Sequence, residues 1–248
     1  MSTSASSATV FSGRLFIVAF GVLALAVSTG CKMAADGQNL QGVRFYQQGQ
    51  YDAAMQRFQQ AVAADPKNPD AYYNMAATVH RMGTARSDQT LLNQAETLYN
   101  RCLDEEKDHA DCHRGLAVLL AETGRSDRAF NLLRNWAVRS PKVADARIEL
   151  ARLHEEFGEP DTAKVHLTEA LKIDQHNARA WTALGRLREQ SGEYAQALAN
   201  YDQSYRLNRF QPQVAERIAA LNHTLSGGGI PTRPGGTRMV DSSSSATR

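Results

Sequence analysis

The sequence predicts an all-α chain of five helical hairpins and a closing helix. One observation is a self-similarity of 34 residues running from Ala35 to Gln211 and interrupted once. A second is that small residues recur at matching offsets in each copy, where two helices must approach closely. A third is that both ends differ in composition from the middle, so the foldable part is shorter than the 248 residues.

Residues 1–30 have the anatomy of a secretory leader: a Ser/Thr-rich start with Arg14 as its only cation, an apolar run from Leu15 to Val27, then small residues. The 13-residue run rises about 20 Å as helix, short of a ~30 Å hydrocarbon core, so a leader is expected before a permanent span. It closes on Ser28-Thr-Gly-Cys31, which resembles the lipobox of bacterial lipoproteins, with Ser28 where that motif usually has Leu. The resemblance implies that Cys31 is acylated and becomes the mature N-terminus; Lys32 after it, with no Asp, resembles outer-membrane sorting. Ordinary cleavage near Ala26 to Ser28 and an uncleaved anchor are the alternatives.

The hairpins follow in order. The first copy, 35–68, supplies Gly42, Phe45, Gly49, Tyr51, Ala54, Phe58, Ala61 and Asp65-Pro66. The second, 69–109, opens at Pro69 with Tyr72, Met75-Ala76 and Gly83, and resumes at Ala95, Tyr99 and Cys102, seven residues later than the period requires. The insertion is placed within Thr84 to Leu92. The third, 110–143, gives Leu116-Ala117, Gly124, Ala129, Leu133 and Pro141; the fourth, 144–177, gives Leu150-Ala151, Gly158, Ala163, Leu167 and Ala170. The fifth, 178–211, carries Trp181-Thr-Ala-Leu184-Gly185, Gly192-Glu-Tyr194-Ala-Gln-Ala197 and Tyr201. First helices are expected to end at Gly49, Gly83, Gly124, Gly158 and Gly192 in left-handed caps. Pro66 and Pro141 follow second helices, which proline cannot continue. A closing helix over 212–224 places Val214, Ile218 and Leu221 on one stripe, able to cover the last repeat. The folded domain is therefore expected over 35–224. Residues 225–248 are a Gly/Ser/Pro-rich stretch too poor in apolar side chains to order itself, and read as a flexible tail.

The fifth copy resembles the tetratricopeptide repeat, whose pattern is W-x-x-L-G, then a turn Gly with an aromatic, Ala and a further aromatic; the other copies keep its register. The resemblance implies a right-handed α-α superhelix whose first helices line a concave groove that receives a protein or peptide segment. Mapped onto that surface, Tyr46, Gln47, Tyr73, His80 and Arg81 lie toward the N-terminal half, and Arg114, Arg152, Glu155, Arg179, Arg186 and Glu189 further on. An acidic or C-terminal segment is expected on the arginines, which bind carboxylates bidentately, with tyrosines as anchors; the alternative is ordinary solvated helix faces balanced by Glu155, Glu156 and Glu189. The Lys and Asn constellation of chaperone-binding tetratricopeptide clamps is absent.

Catalytic motifs are not found: there is no P-loop, H-E-x-x-H or G-x-S-x-G, and no cofactor or small-molecule substrate is expected. The densest polar cluster, Asp108-His109-Ala-Asp111-Cys112-His113, reads as a turn and helix start rather than a metal site. Cys102 and Cys112 are either a disulfide or two buried thiols, since an exported compartment permits oxidation. A net charge of +2 with 22% charged residues argues against nucleic acid as partner. The expected role is a lipid-anchored protein-binding scaffold of the bacterial envelope, not an enzyme. The stretch Tyr205 to Ala215 resembles pilotin-type lipoproteins of type IV pilus assembly, which implies a pilus assembly role as one alternative. An accessory subunit of a peptidoglycan- or sugar-processing enzyme and a metal enzyme using His109 and His113 are others.

Overall fold

The computed structural model describes residues 32–227; the expected leader, Cys31 and the tail beyond 227 lie outside the described residues. These residues are helical, with no strand among them. The helices are α1 (32–47), α2 (Tyr51–Ala64), α3 (Pro69–Arg86), α4 (Gln89–Glu105), α5 (Ala110–Glu122), α6 (Ser126–Arg139), α7 (Ala144–Glu156), α8 (Pro160–Ile173), α9 (Ala178–Gln190), α10 (Tyr194–Leu207) and α11 (Pro212–Leu225). Successive pairs match the five repeats, and α11 is the expected closing helix. None of the described helices is long and apolar enough to cross a membrane. The described residues divide into two compact units, the first ending at Leu153 and the second beginning at His154.

Capping chemistry explains where the helices start. Asn68, Asp88, His109 and Asn177 each accept a hydrogen bond from a backbone N–H in the first turn of the helix that follows. Pro69, Pro160 and Pro212 occupy first positions, where a missing N–H costs nothing. The ends of first helices follow one device, a left-handed residue and a hydrogen bond back across the last turn, as in Arg125 N–H donating to the Leu120 carbonyl at 2.8 Å. Gly49, Gly124, Gly158 and Gly192 occupy that position with φ of 75–78°.

Gly83 is the exception and corrects the sequence expectation. The insertion lengthens both helices of the second hairpin, to 18 and 17 residues, so α3 runs past Gly83 and the left-handed cap falls on Ser87 at φ 52°. Gly83 instead permits close helix approach, because a Cβ there would lie 3.0 Å from Leu92 and 3.1 Å from Leu91. Gly185 has the same use in the fifth hairpin, where an added Cβ would lie 2.9 Å from the Tyr201 ring.

In the first unit the core is built from Val79, Tyr99, Leu116, Leu119, Leu133, Trp136, Leu150 and Leu153 among others, with Ala76, Ala95, Ala117, Ala129 and Ala146 at the tight crossings. Trp136 is fully buried, and its indole N–H donates to the Asp108 carboxylate at 2.9 Å. Asp108 also accepts from the Ser140 hydroxyl, and that bond with the Trp136 one holds its carboxyl below the usual carboxylate range. In the second unit Ala197, Tyr201, Val214 and Leu221 close the core between α10 and α11, as the stripe on the closing helix predicts. The aromatic positions Phe58, Tyr99 and Tyr201 are buried core.

Candidate functional site

In the first unit most of the residues expected to line a groove are engaged by side chains outside that set. Tyr46 is half-buried, edge-on to Tyr51 with centroids 5.4 Å apart, while Gln47 and Arg81 are exposed. Tyr73 is half-buried against the rings of Tyr99 and His109, and burial raises its phenol above the usual range. His80 is buried rather than presented to a partner: its Nε2–H donates to Glu122 at 3.0 Å, and Nδ1 faces the Tyr99 hydroxyl at 3.4 Å. Tyr99 of α4 and Glu122 of α5 are the partners that hold the ring.

Arg114 and Arg152 converge on Glu149, which is 1% exposed. Arg114 donates to Glu149 Oε1 at 2.8 Å and 3.0 Å and to Asp111 at 2.8 Å, while Arg152 Nε donates to Glu149 Oε2 at 3.2 Å. These arginines therefore already hold a carboxylate. An acidic segment arriving here would have to displace an existing pair, which alters the expectation that guanidinium groups await it.

The predicted polar cluster around His109 separates into different jobs. Asp108 holds Trp136 and Ser140, and Asp111 pairs with Arg114. His113 stacks on Trp136 with centroids 4.0 Å apart and a 10° tilt, and its Nε2–H donates to the Lys107 carbonyl at 3.0 Å. Burial pushes His113 down to about 4, so its ring is neutral near pH 7. Cys102 and Cys112 form a disulfide between α4 and α5. His109 Nδ1 accepts from the Cys112 N–H at 3.2 Å, and its Nε2–H donates to Asp70 at 3.1 Å.

The second unit holds a cleft of about 1350 Å³ lined by α9, α10 and α11, among them Tyr194, Gln213 and Glu216, and by the turn from α7 to α8 with Glu155, Gly158 and Pro160. Three predicted groove residues, Glu155, Arg186 and Glu189, lie in its wall, whereas Arg179 is exposed at the start of α9 and is not among the lining residues. Arg186 pairs with Glu155, and Arg217 with Glu189, which also accepts from the buried Tyr201 hydroxyl at 3.0 Å. The closing helix is fastened beneath by a polar knot: Thr182 and Ser204 hydroxyls lie 2.7 Å apart, and Gln211 donates to the Asn208 carbonyl at 2.8 Å. Tyr194 and Tyr201 enter the sequence reading as aromatic positions of the fifth repeat, and Gln213, Glu216 and Arg217 are not among the expected groove residues. A usable signal was there, because several cross-links join residues about one repeat apart: Asn39 with Asn74 and Arg114 with Glu149 are both separated by 35 positions, Glu155 and Arg186 by 31.

Comparison with known proteins agrees with this architecture. A family model described as "TPR repeat" matches residues 42–83, and models described as "Tetratricopeptide repeat" match 80–144, 124–187 and 156–220. Human protein O-mannosyl-transferase TMTC1 is 24% identical over 185 residues, covering 73% of this chain and 20% of that protein, so the chain spans about a fifth of its length. Among solved structures, a thermophilic tetratricopeptide protein of Thermus thermophilus, TTC0263, is 23% identical with a TM-score of 0.57, covering 76% of this chain and 99% of that one. Pseudomonas aeruginosa pilF is 19% identical with a TM-score of 0.49, covering 81% and 95% respectively.

Proposed function

Because the chain belongs to the tetratricopeptide-repeat family, whose members generally mediate protein–protein interaction, we propose that it is a lipid-anchored scaffold of the bacterial cell envelope that holds a segment of another protein. The observation that carries the binding role is the cleft between α9, α10 and α11. At its base lie the buried core side chains of Val214, Leu221 and Tyr201, and its wall adds the half-buried Tyr194 ring and two ready-made ion pairs, Arg186 with Glu155 and Arg217 with Glu189. Such a wall suits a segment of mixed charge with an apolar anchor, because each of its own charges meets half of an existing pair. Binding, not catalysis, is the role proposed.

The anchoring half of the reading rests on the leader-like residues 1–30 and on Cys31. Acylation there would place the solenoid at a membrane surface, facing the periplasm if outer-membrane sorting applies.

Expression in a bacterium with a Cys31→Ala control tests the anchor. A diacylglyceryl mass increment and membrane partitioning, both lost in the control, are expected; a soluble product cleaved near Ser28 refutes it. The binding role is tested by photo-cross-linking from Gln190 and Gln213 on the cleft, compared with Val138, which is exposed in the first unit and is not among the cleft's lining residues. A partner captured from the cleft positions alone is expected, and equal capture from Val138 refutes the assignment. The partner recovered decides whether the scaffold serves pilus assembly, as the pilotin resemblance implies, or an envelope-processing enzyme.

A further inference from the structure

Three soft or borderline donors meet where the second and third hairpins join. Cys102 lies in the last turn of α4, His109 is the N-cap of α5, and Cys112 is the third residue of α5. Their ligand atoms all lie within 4.8 Å of one another, and all three residues are buried. The pair spaced His109-x-x-Cys112 brings a ring nitrogen and a sulfur over the same first turn, as the hydrogen bond from the Cys112 N–H to Nδ1 shows.

We propose that, once the disulfide is reduced, Cys102, His109 and Cys112 bind a thiophilic d10 cation, Zn²⁺ or Cu⁺, through two thiolates and Nδ1 of His109. The tautomer is already correct. Nδ1 accepts from the Cys112 N–H and so carries the lone pair, which the cation takes in place of that cap bond, while Nε2 carries the proton and donates it to Asp70 Oδ1 at 3.1 Å. A carboxylate on the far nitrogen is the arrangement that orients a metal-bound histidine and raises its basicity. Zinc at about 2.3 Å from sulfur and about 2.0 Å from nitrogen sets its ligands roughly 3.5–3.8 Å apart, within the spread of the three donors. Two thiolates and an imidazole are a donor set that selects Zn²⁺ and Cu⁺ over harder ions.

The chemistry balances in two steps. A phosphine, with one water, is oxidised to the phosphine oxide while the S–S bond takes up two electrons and two protons and becomes two thiols. Metal binding then releases those two protons. Disulfide and metal are mutually exclusive occupants of one place, so which of them is present follows the redox state of the surroundings.

The test uses the full chain with Cys31→Ser, which leaves two thiols. After phosphine reduction and removal of the reductant without oxygen, Zn²⁺ and Cu⁺ are titrated against chromophoric chelators, with Co²⁺ as spectroscopic probe and helix content followed by circular dichroism. Expected are one equivalent of metal per reduced chain, a thiolate-to-cobalt charge-transfer band, no uptake by the disulfide form, and affinity about 10-fold to 100-fold weaker in Asp70→Asn. Uptake of one cation and not the other supports the site and identifies its occupant. A reduced chain that stays helical but binds neither cation, one that loses its helices on reduction, or uptake undiminished in Cys102→Ser overturns the proposal.

Discussion

Lowering the pH from 7 to 4 probes the burial of His113 in the disulfide-bonded protein. Its ring is 2% exposed and lies flat on Trp136. Nε2 carries the proton donated to the Lys107 carbonyl, so Nδ1 is the atom that would be protonated, and Nδ1 is buried with no hydrogen-bond partner. Charging it therefore creates a buried donor with nothing to accept it. Burial pushes the folded value down to about 4 from 6.5 in the unfolded chain. Above 6.5 both states are neutral and stability is complete; as the pH falls toward 4 the unfolded chain takes up the proton first, and stability is lost across that window. At about 1.36 kcal/mol per pH unit the loss is about 3 kcal/mol, a large share of a typical domain's 5–15 kcal/mol. Urea unfolding at several pH values checks this, with His113→Phe as the non-titrating comparison that keeps a ring on Trp136. The wild type should lose about 3 kcal/mol more than the variant between pH 7 and 4; parallel pH profiles would refute the reasoning.

Three further outcomes are expected. Reducing the Cys102–Cys112 bridge, which spans a separation of 10 residues, should lower stability by about 2–3 kcal/mol, read as a drop in the thermal midpoint with and without reductant. Glu149→Ala should cost about 3 kcal/mol in chemical denaturation, the low end for breaking a buried pair, because Arg114 and Arg152 are each about a third exposed; Glu149→Gln should cost less. Gly185→Ala places a methyl 2.9 Å from the Tyr201 ring and should destabilise by about 1–3 kcal/mol, with a midpoint unchanged from wild type counting against the close approach.

The helices were legible because a repeat writes its packing rule several times over. Ala54, Ala95, Ala129, Ala163 and Ala197 are all fully buried, as their shared offset requires. Gly83 misled because seven inserted residues let the helix continue, and Ser87-Asp88 supplied the stop; the side chain of Asp88 capping Thr90 and Leu91 was the sequence signal for it. The cleft was half legible. Offset within the repeat pointed to Glu155, Arg186 and Glu189, but whether an arginine is already engaged depends on a neighbour some 30 positions away, and Glu155 answers Arg186 only once hairpins are stacked. His80 shows the same limit, since its partner Glu122 is 42 residues distant.

The bridge from α4 to α5 joins the second helix of one hairpin to the first helix of the next. In an array whose members hold only their neighbours, unravelling ordinarily advances hairpin by hairpin. A covalent staple at one junction merges two steps into one, so fraying that starts at the chain's first hairpin meets a doubled cooperative block at the second. Under a pulling force or a protease, the surviving fragment should therefore begin at α3, with the hairpins on either side of the staple opening together or not at all.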